Sequence, residues 1–291
     1  MSASADDPHV FPMVPANDQA APSSSTWFAS IFSVLTQAAQ RLGIIAAGLI
    51  LPALIFWLWS VATERRWLPE QILPEPALVW QSFKELWETG ELQGHVAISA
   101  SRVGWSLLIG GSAGLVLGFG MGLSKAVRAY VFPAFDVVSQ FPVLGWIPLL
   151  IIFAGIDEPL KISAISISVV IPVAINTLKG IENIPRALFE VSRVYKFTLW
   201  QVIQRVVLPC AAPSLFNGLR QGVMQAWLSL VFVELLVSSE GIGYLMVWGR
   251  QLAQIDLCIV AMLVIGVVGI ALELVLRWIE TRLQGWRRAA F

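Results

Sequence analysis

Residues 185–209 read PRALFEVSRVYKFTLWQVIQRVVLP. They carry Arg186, Arg193, Arg205, Lys196 and Glu190, yet they lie between two of the most apolar runs of the chain. Pro185 suits the first turn of a helix, where its missing N–H has no partner to lose. Leu188, Val191 and Tyr195 then share one helix face, while Arg186, Glu190 and Arg193 take the other. Thr198 followed by Gln201 matches a capping box, so a second short helix is expected from Leu199 to about Val207, ended by Pro209. The stretch therefore predicts two short amphipathic helices joined by a tight elbow, too polar to span a bilayer. Such a pair is either a solvated interfacial loop or a wedge for a groove on a partner.

The surrounding chain is a membrane protein. Of its 291 residues 57% are hydrophobic and 13% charged, about half the charge of a soluble domain. The mean hydropathy is +0.74. The fold class is all-α and polytopic, held by helix packing in lipid rather than by a water-excluded core. Six stretches are long enough to cross about 30 Å of hydrocarbon, near 43–62, 101–123, 130–154, 160–178, 210–237 and 256–278. Residues 1–41, rich in Ser, Ala, Pro and Asp, read as a disordered tail, residues 42–286 as the transmembrane domain, and 287–291 as a short C-terminal tail.

Orientation follows from the distribution of Lys and Arg in the connections. A cytoplasmic N-terminus puts thirteen basic residues inside, from Arg41 and Lys125 to Arg288, and six outside: Arg65, Arg66, Lys84, Arg102, Lys161 and Arg250. Both termini and residues 185–209 are thus expected in the cytoplasm. Within the first external connection, 63–100, the stretch PEPALVWQSFKELWETGEL reads as an amphipathic helix at the membrane surface. Thirteen tryptophans suit two interfacial belts. Pro133, Pro142 and Pro148 predict that the third span is kinked or broken, and QFPVLGWIP (140–148) either fills that kink or lines a route through the protein. Gly110, Gly114, Gly118 and Gly122 recur every four residues and predict a bare helix face, for close packing or for a substrate groove.

Measured from Glu190, the elbow stretch resembles the EAA motif of ABC-importer permeases. In that family Glu-Ala-Ala, three residues, Gly, nine residues and Ile-x-Leu-Pro follow one another; here Glu190 stands at the start and Val206-Val207-Leu208-Pro209 at the end. LPEPALVWQSF (73–83), RVGWSLLIGGSAGLVLGFGMGLS (102–124), FPVLGWIPLLIIFAGIDEPLKI (141–162), INTLKGIENI (175–184), VELLVSSEGIGYL (233–245) and LELVLRWIETRLQGW (272–286) resemble its sulfonate/taurine/nitrate branch. The resemblance implies a type I ABC importer permease fold. It also implies a homodimer of this chain with two cytoplasmic ATPase subunits and an extracytoplasmic solute-binding protein. By resemblance, residues 185–209 are the coupling helices, with Arg186, Glu190, Ser192, Arg193, Lys196, Phe197 and Thr198 at the ATPase contact. Val191 and Ser192 replace two alanines, and Lys196 replaces the glycine. A left-handed elbow would cost Lys196 about 1 kcal/mol or more, so either the elbow differs here or Lys196 brings a charge to the contact.

The chain has no GxxxxGK[ST], so ATP and Mg are expected on the partner ATPase and no cofactor here. The zero formal charge implies no attraction to nucleic acid. Two histidines and two cysteines, with no HExxH or CxxC, offer no metal or nucleophile set, and Cys210 and Cys258 read as packing residues. Candidates for a translocation path are Gln140, Phe141, Trp146, Asn176, Gln225, Trp227 and Glu234. Glu234 is either a capping or gate residue or a proton-coupling site. With Asp136 it carries the alternative reading, a stand-alone proton-coupled secondary transporter. Internal repeats that would favour that alternative are not evident.

Overall fold

The computed structural model describes residue 48 and residues 50–283. The two expected tails and the start of the first span, with residues 43–47 and 49, lie outside the described residues. The chain divides into two units, Met1–Val61 and Ala62–Phe291. Across the boundary runs an apolar helix, α1 (Ile50–Glu64), the described part of the first expected span.

The second unit is all-helical among its described residues. Its elements are α2 (Pro76–Glu88), α3 (Glu91–Leu123), α4 (Lys125–Ser139), a 3₁₀ turn (Val143–Trp146), α5 (Ile147–Ala154) and α6 (Glu158–Glu182). They continue with α7 (Arg186–Val194), α8 (Leu199–Val202), a π-helical turn (Ile203–Val207), α9 (Leu208–Val237), α10 (Ile242–Gln251) and α11 (Ile255–Leu283). The spans expected at 101–123, 160–178, 210–237 and 256–278 are α3, α6, α9 and α11, each long and apolar enough to cross a membrane. The expected third span is α4 and α5, bent by 96° at Gln140–Pro142.

The core is a layer of α3, α6 and α9, with α6 in the middle and the most buried of the long spans. Glycine sets that packing. A Cβ on Gly110 would stand 2.5 Å from the Ser166 carbonyl oxygen, on Gly114 2.8 Å from Val173 Cβ, and on Gly118 2.5 Å from Thr177 Cβ. The ladder is a packing face, not a groove. On the other side of α6, Gly218 and Gly222 of α9 make the same approach, with Cβ positions 2.8 Å from Asn176 Cβ and 3.1 Å from Val173 Cγ2. Val173 is clamped between the two glycine faces. With no apolar solvent effect between helices in lipid, such close backbone contact is what holds the layer.

Two boundaries differ from the sequence reading. α3 starts ten residues before 101, because Leu92, Ser99 and Arg102 are buried against neighbouring helices although this stretch is too polar for a hydropathy window. α10, within the connection after the fifth span, was not anticipated. The surface helix is present as α2: Val79, Ser82 and Leu86 are buried, Ser82 Oγ donates to Asp256 of α11 at 2.5 Å, and Trp80 and Trp87 are exposed.

Candidate functional site

The elbow is mounted on the ends of α6 and α9. Phe189 packs on the cluster of Ile181, Ile184, Val207 and Ala211, and Ser192 is buried, its Oγ donating to the Phe189 carbonyl at 2.7 Å. Leu188, Val191, Val194 and Tyr195 point outward, together with Arg186, Glu190 and Arg193. The apolar face expected from the sequence is thus presented to the outside, and α7 hangs on Phe189 and Ser192 instead.

The bend itself is a Schellman cap. The N–H of Phe197 donates to the Ser192 carbonyl at 3.0 Å and the N–H of Lys196 to the Arg193 carbonyl at 3.0 Å. Lys196 closes it with φ +52°, the left-handed conformation that glycine adopts without cost. The elbow keeps its shape, and Lys196, exposed, bears the strain. The predicted capping box is formed: Thr198 Oγ1 accepts from the Gln201 N–H at 3.4 Å, and Gln201 Oε1 accepts from the Thr198 N–H at 2.9 Å. The Arg205 guanidinium lies 5.5 Å from the Phe197 ring centre.

The second helix does not end at Pro209. α8 passes through the π turn directly into α9, with the Leu208 N–H bonded to the Ile203 carbonyl. A proline lacks the N–H for the carbonyl four residues back. The π turn inserts one residue and re-registers the ladder, so Pro209 falls in the first turn of α9. α8, the π turn and α9 therefore form one continuous helix leading away from the elbow.

Above the elbow, a cavity of about 810 Å³ opens where the α4–α5 break faces α6 and α9. Gln140, Phe141 and Pro142 of the break, Ile171, Ile175 and Asn176 of α6, and Asn217, Arg220, Gln221, Met224 and Gln225 of α9 line it, with Glu273 of α11. Of the path candidates, Gln140, Phe141, Asn176 and Gln225 are thus brought together. Trp146, Trp227 and Glu234 are not in its lining. Trp227 is buried between α9 and Gly269 of α11. Trp146 sits edge-on to Phe141 at 6.1 Å, and its buried indole N–H has no partner among the described residues.

The amides of the cavity form an ordered relay. Asn217 Nδ2 donates to Asn176 Oδ1 at 3.1 Å, and Asn176 Nδ2 donates to Gln221 Oε1 at 3.0 Å and to the Pro172 carbonyl at 2.8 Å. Arg220 is neutralised by Glu273 and Glu280, and Glu273 also accepts from Arg277 at 3.0 Å.

At the opposite end lies an ion network that the sequence reading missed, counting Arg102 and Lys161 only as basic residues on the outer side. Arg102 is 1% exposed. It donates to both oxygens of Glu158, at 2.6 and 2.8 Å, to Glu234 Oε1 at 2.7 Å and to the Glu240 carbonyl at 2.8 Å. Lys161 adds a second cation, 2.8 Å from Glu158. Ser99 donates to Glu234 Oε1 at 2.7 Å and the Gly243 N–H to Oε2 at 2.9 Å. Glu234 is thus a paired carboxylate that fixes the start of α10, not a free acid facing the cavity. The available signal is the presence of Arg102, Lys161, Glu158 and Glu234 at or inside apolar spans, where charges are kept only in pairs.

Residues 110–286 match the family described as binding-protein-dependent transport system inner membrane component. The chain is 37% identical to a putative aliphatic sulfonates transport permease of Bacillus subtilis (strain 168), over 83% of this chain and 88% of that one. It is 35% identical to the protein of that description from Escherichia coli (strain K12), over 82% and 91%. Its fold is similar to that of a solved amino acid ABC transporter crystallised with histidines, with a TM-score of 0.59 over 68% of this chain and 97% of that one, at 15% identity.

Proposed function

Because the chain belongs to the family of binding-protein-dependent transport system inner membrane components, we propose that it is the membrane-spanning subunit of an ATP-driven importer for an aliphatic sulfonate. Taurine stands beside it in the first rank, and nitrate, bicarbonate or a pyrimidine precursor are the substrates of second rank. Two relatives bear the sulfonate description. In this reading two copies of the chain share the membrane with two ATPase subunits, which hold ATP and Mg, and a solute-binding protein delivers the substrate from outside. The chain lies in the cytoplasmic membrane with both termini inside, as its basic residues favour.

The observation that carries the proposal is the continuity of elbow, rod and cavity. α7 offers an outward surface of Leu188, Val191, Val194 and Tyr195 edged by Arg186, Glu190 and Arg193, chemistry suited to a groove on a partner. Its root, α8, is one rod with α9, which lines the cavity. Closure of the ATPase pair would move the elbow and, through α9, the walls of the cavity. The test is reconstitution in liposomes with the cognate ATPase and binding protein. Uptake of butanesulfonate is expected only with internal ATP and all components. Uptake driven by a proton gradient through this chain alone would refute the proposal.

A further inference from the structure

Resting on that reading, the geometry points to a specific anion-holding site: we propose that the side-chain amides of Gln221 and Gln225 hold the substrate's sulfonate head, with its alkyl tail on Phe141, Ile171 and Met224.

The argument starts from α9. Asn217, Gln221 and Gln225 recur every four residues, so they form one polar stripe, and all three are exposed. A helix in an apolar chain does not turn three amides to lipid; it turns them to a wet path. The relay then gives the stripe a direction. Asn217 donates to Asn176 and Asn176 to Gln221 Oε1. Each amide polarises the next, and the chain of donors ends on the Gln221 NH₂. Among the described residues neither that NH₂ nor the amide of Gln225 has a partner. The Gln221 oxygen already accepts from Asn176, so its NH₂ is the group turned to the cavity without a partner, and N–H donors suit an oxyanion.

Charge is provided elsewhere and cancelled. Arg220, the cation of the lining, is bound by Glu273 and Glu280. The head therefore meets neutral donors, which hold an anion without trapping it, as passage requires. Apolar groups line the same cavity at Phe141, Pro142, Ile171, Ile175 and Met224. They give a short alkyl tail a surface and give nitrate nothing. Taurine's ammonium finds no free carboxylate there, since Glu273 is occupied by Arg220 and Arg277.

The test uses the full complex in liposomes, with butanesulfonate, taurine and nitrate as probes. Gln221→Leu and Gln225→Leu are isosteric in bulk and remove the donors; Gln221→Glu replaces them with negative charge and is tolerated by water. Co-purification with the ATPase reports assembly. The expected result is butanesulfonate uptake lowered about tenfold or more in each assembled variant, the loss of hydrogen bonds to a charged group, with Gln221→Glu the most impaired. Wild-type uptake should favour butanesulfonate over nitrate. Assembled Gln221→Glu complex that imports butanesulfonate at the wild-type rate overturns the site while leaving the importer intact. Failure of the wild type to import any anion with ATP overturns the importer reading itself.

Discussion

Lys196 holds the elbow at φ +52°, a conformation that costs a side-chain-bearing residue about 1 kcal/mol relative to glycine. Lys196→Gly is therefore expected to raise the stability of α7 by about that amount, seen as slower amide exchange in residues 186–197. If the exposed ammonium serves an acidic site on the ATPase, the same variant will weaken ATPase binding at low salt and less at high salt. Unchanged affinity at every salt concentration would make the charge irrelevant. Arg102 is the converse case. Its removal as Arg102→Leu strands the buried Glu234 carboxylate and is expected to cost about 3–5 kcal/mol, read as a lower unfolding temperature in detergent. Arg102→Leu/Glu234→Leu should recover part of the loss, since the pair is removed together. A double variant as unstable as the single one would show that the network contributes nothing through charge. The motif spacing predicted the elbow because caps are local. It said nothing of Arg102, whose partners lie on three other segments far away in the chain.

At the scale of elements, period and proline carried most of the information and proline also misled. The four-residue recurrence of Gly110, Gly114 and Gly118 is legible because only a missing Cβ permits the α3–α6 approach. Gly118→Val puts branched carbons where Thr177 Cβ already stands at 2.5 Å from the missing Cβ. It should cost about 1–3 kcal/mol through overpacking and reduce the yield of folded protein in detergent. Gly111→Ala, on a position with open space, serves as control and should be silent. Equal effects of the two would remove the packing explanation. Pro133, Pro142 and Pro148 predict a kinked or broken span, and the chain bends by 96° at the middle one. Pro209 was wrongly read as a stop, because the same missing N–H is absorbed by the π turn at 203–207. A proline shows that a hydrogen bond is lost; it does not show whether the chain turns or re-registers. That difference decides whether elbow and cavity move together.

Across the described second unit, the α3–α6–α9 layer is tied at both ends. The Arg102–Glu158–Glu234 network joins α3, α6, α9 and the start of α10 at one end, and the Phe189 cluster joins α6, α7 and α9 at the other. α4 has no buried residue and α5 only Ile147, yet α4 is held to α3 and α6 by Val131, Phe132 and Phe135 and by the Arg128–Glu182 ion pair. That layer and the α4–α5 break meet at the cavity, so any relative motion of the two would change its walls. A water-filled cavity predicts reactivity that lipid-facing positions lack. In a Cys210→Ser/Cys258→Ser background, Gln225→Cys should react with a membrane-impermeant maleimide, and its rate should change when ATP is bound by the partner. Val267→Cys, equally exposed but on the apolar surface of α11, should stay unlabelled in both states. Gln225→Cys that stays as unlabelled as Val267→Cys would mean that the cavity holds no water. Labelling of Gln225→Cys that ignores ATP would mean that the α8–α9 rod does not carry the motion of the elbow to the path.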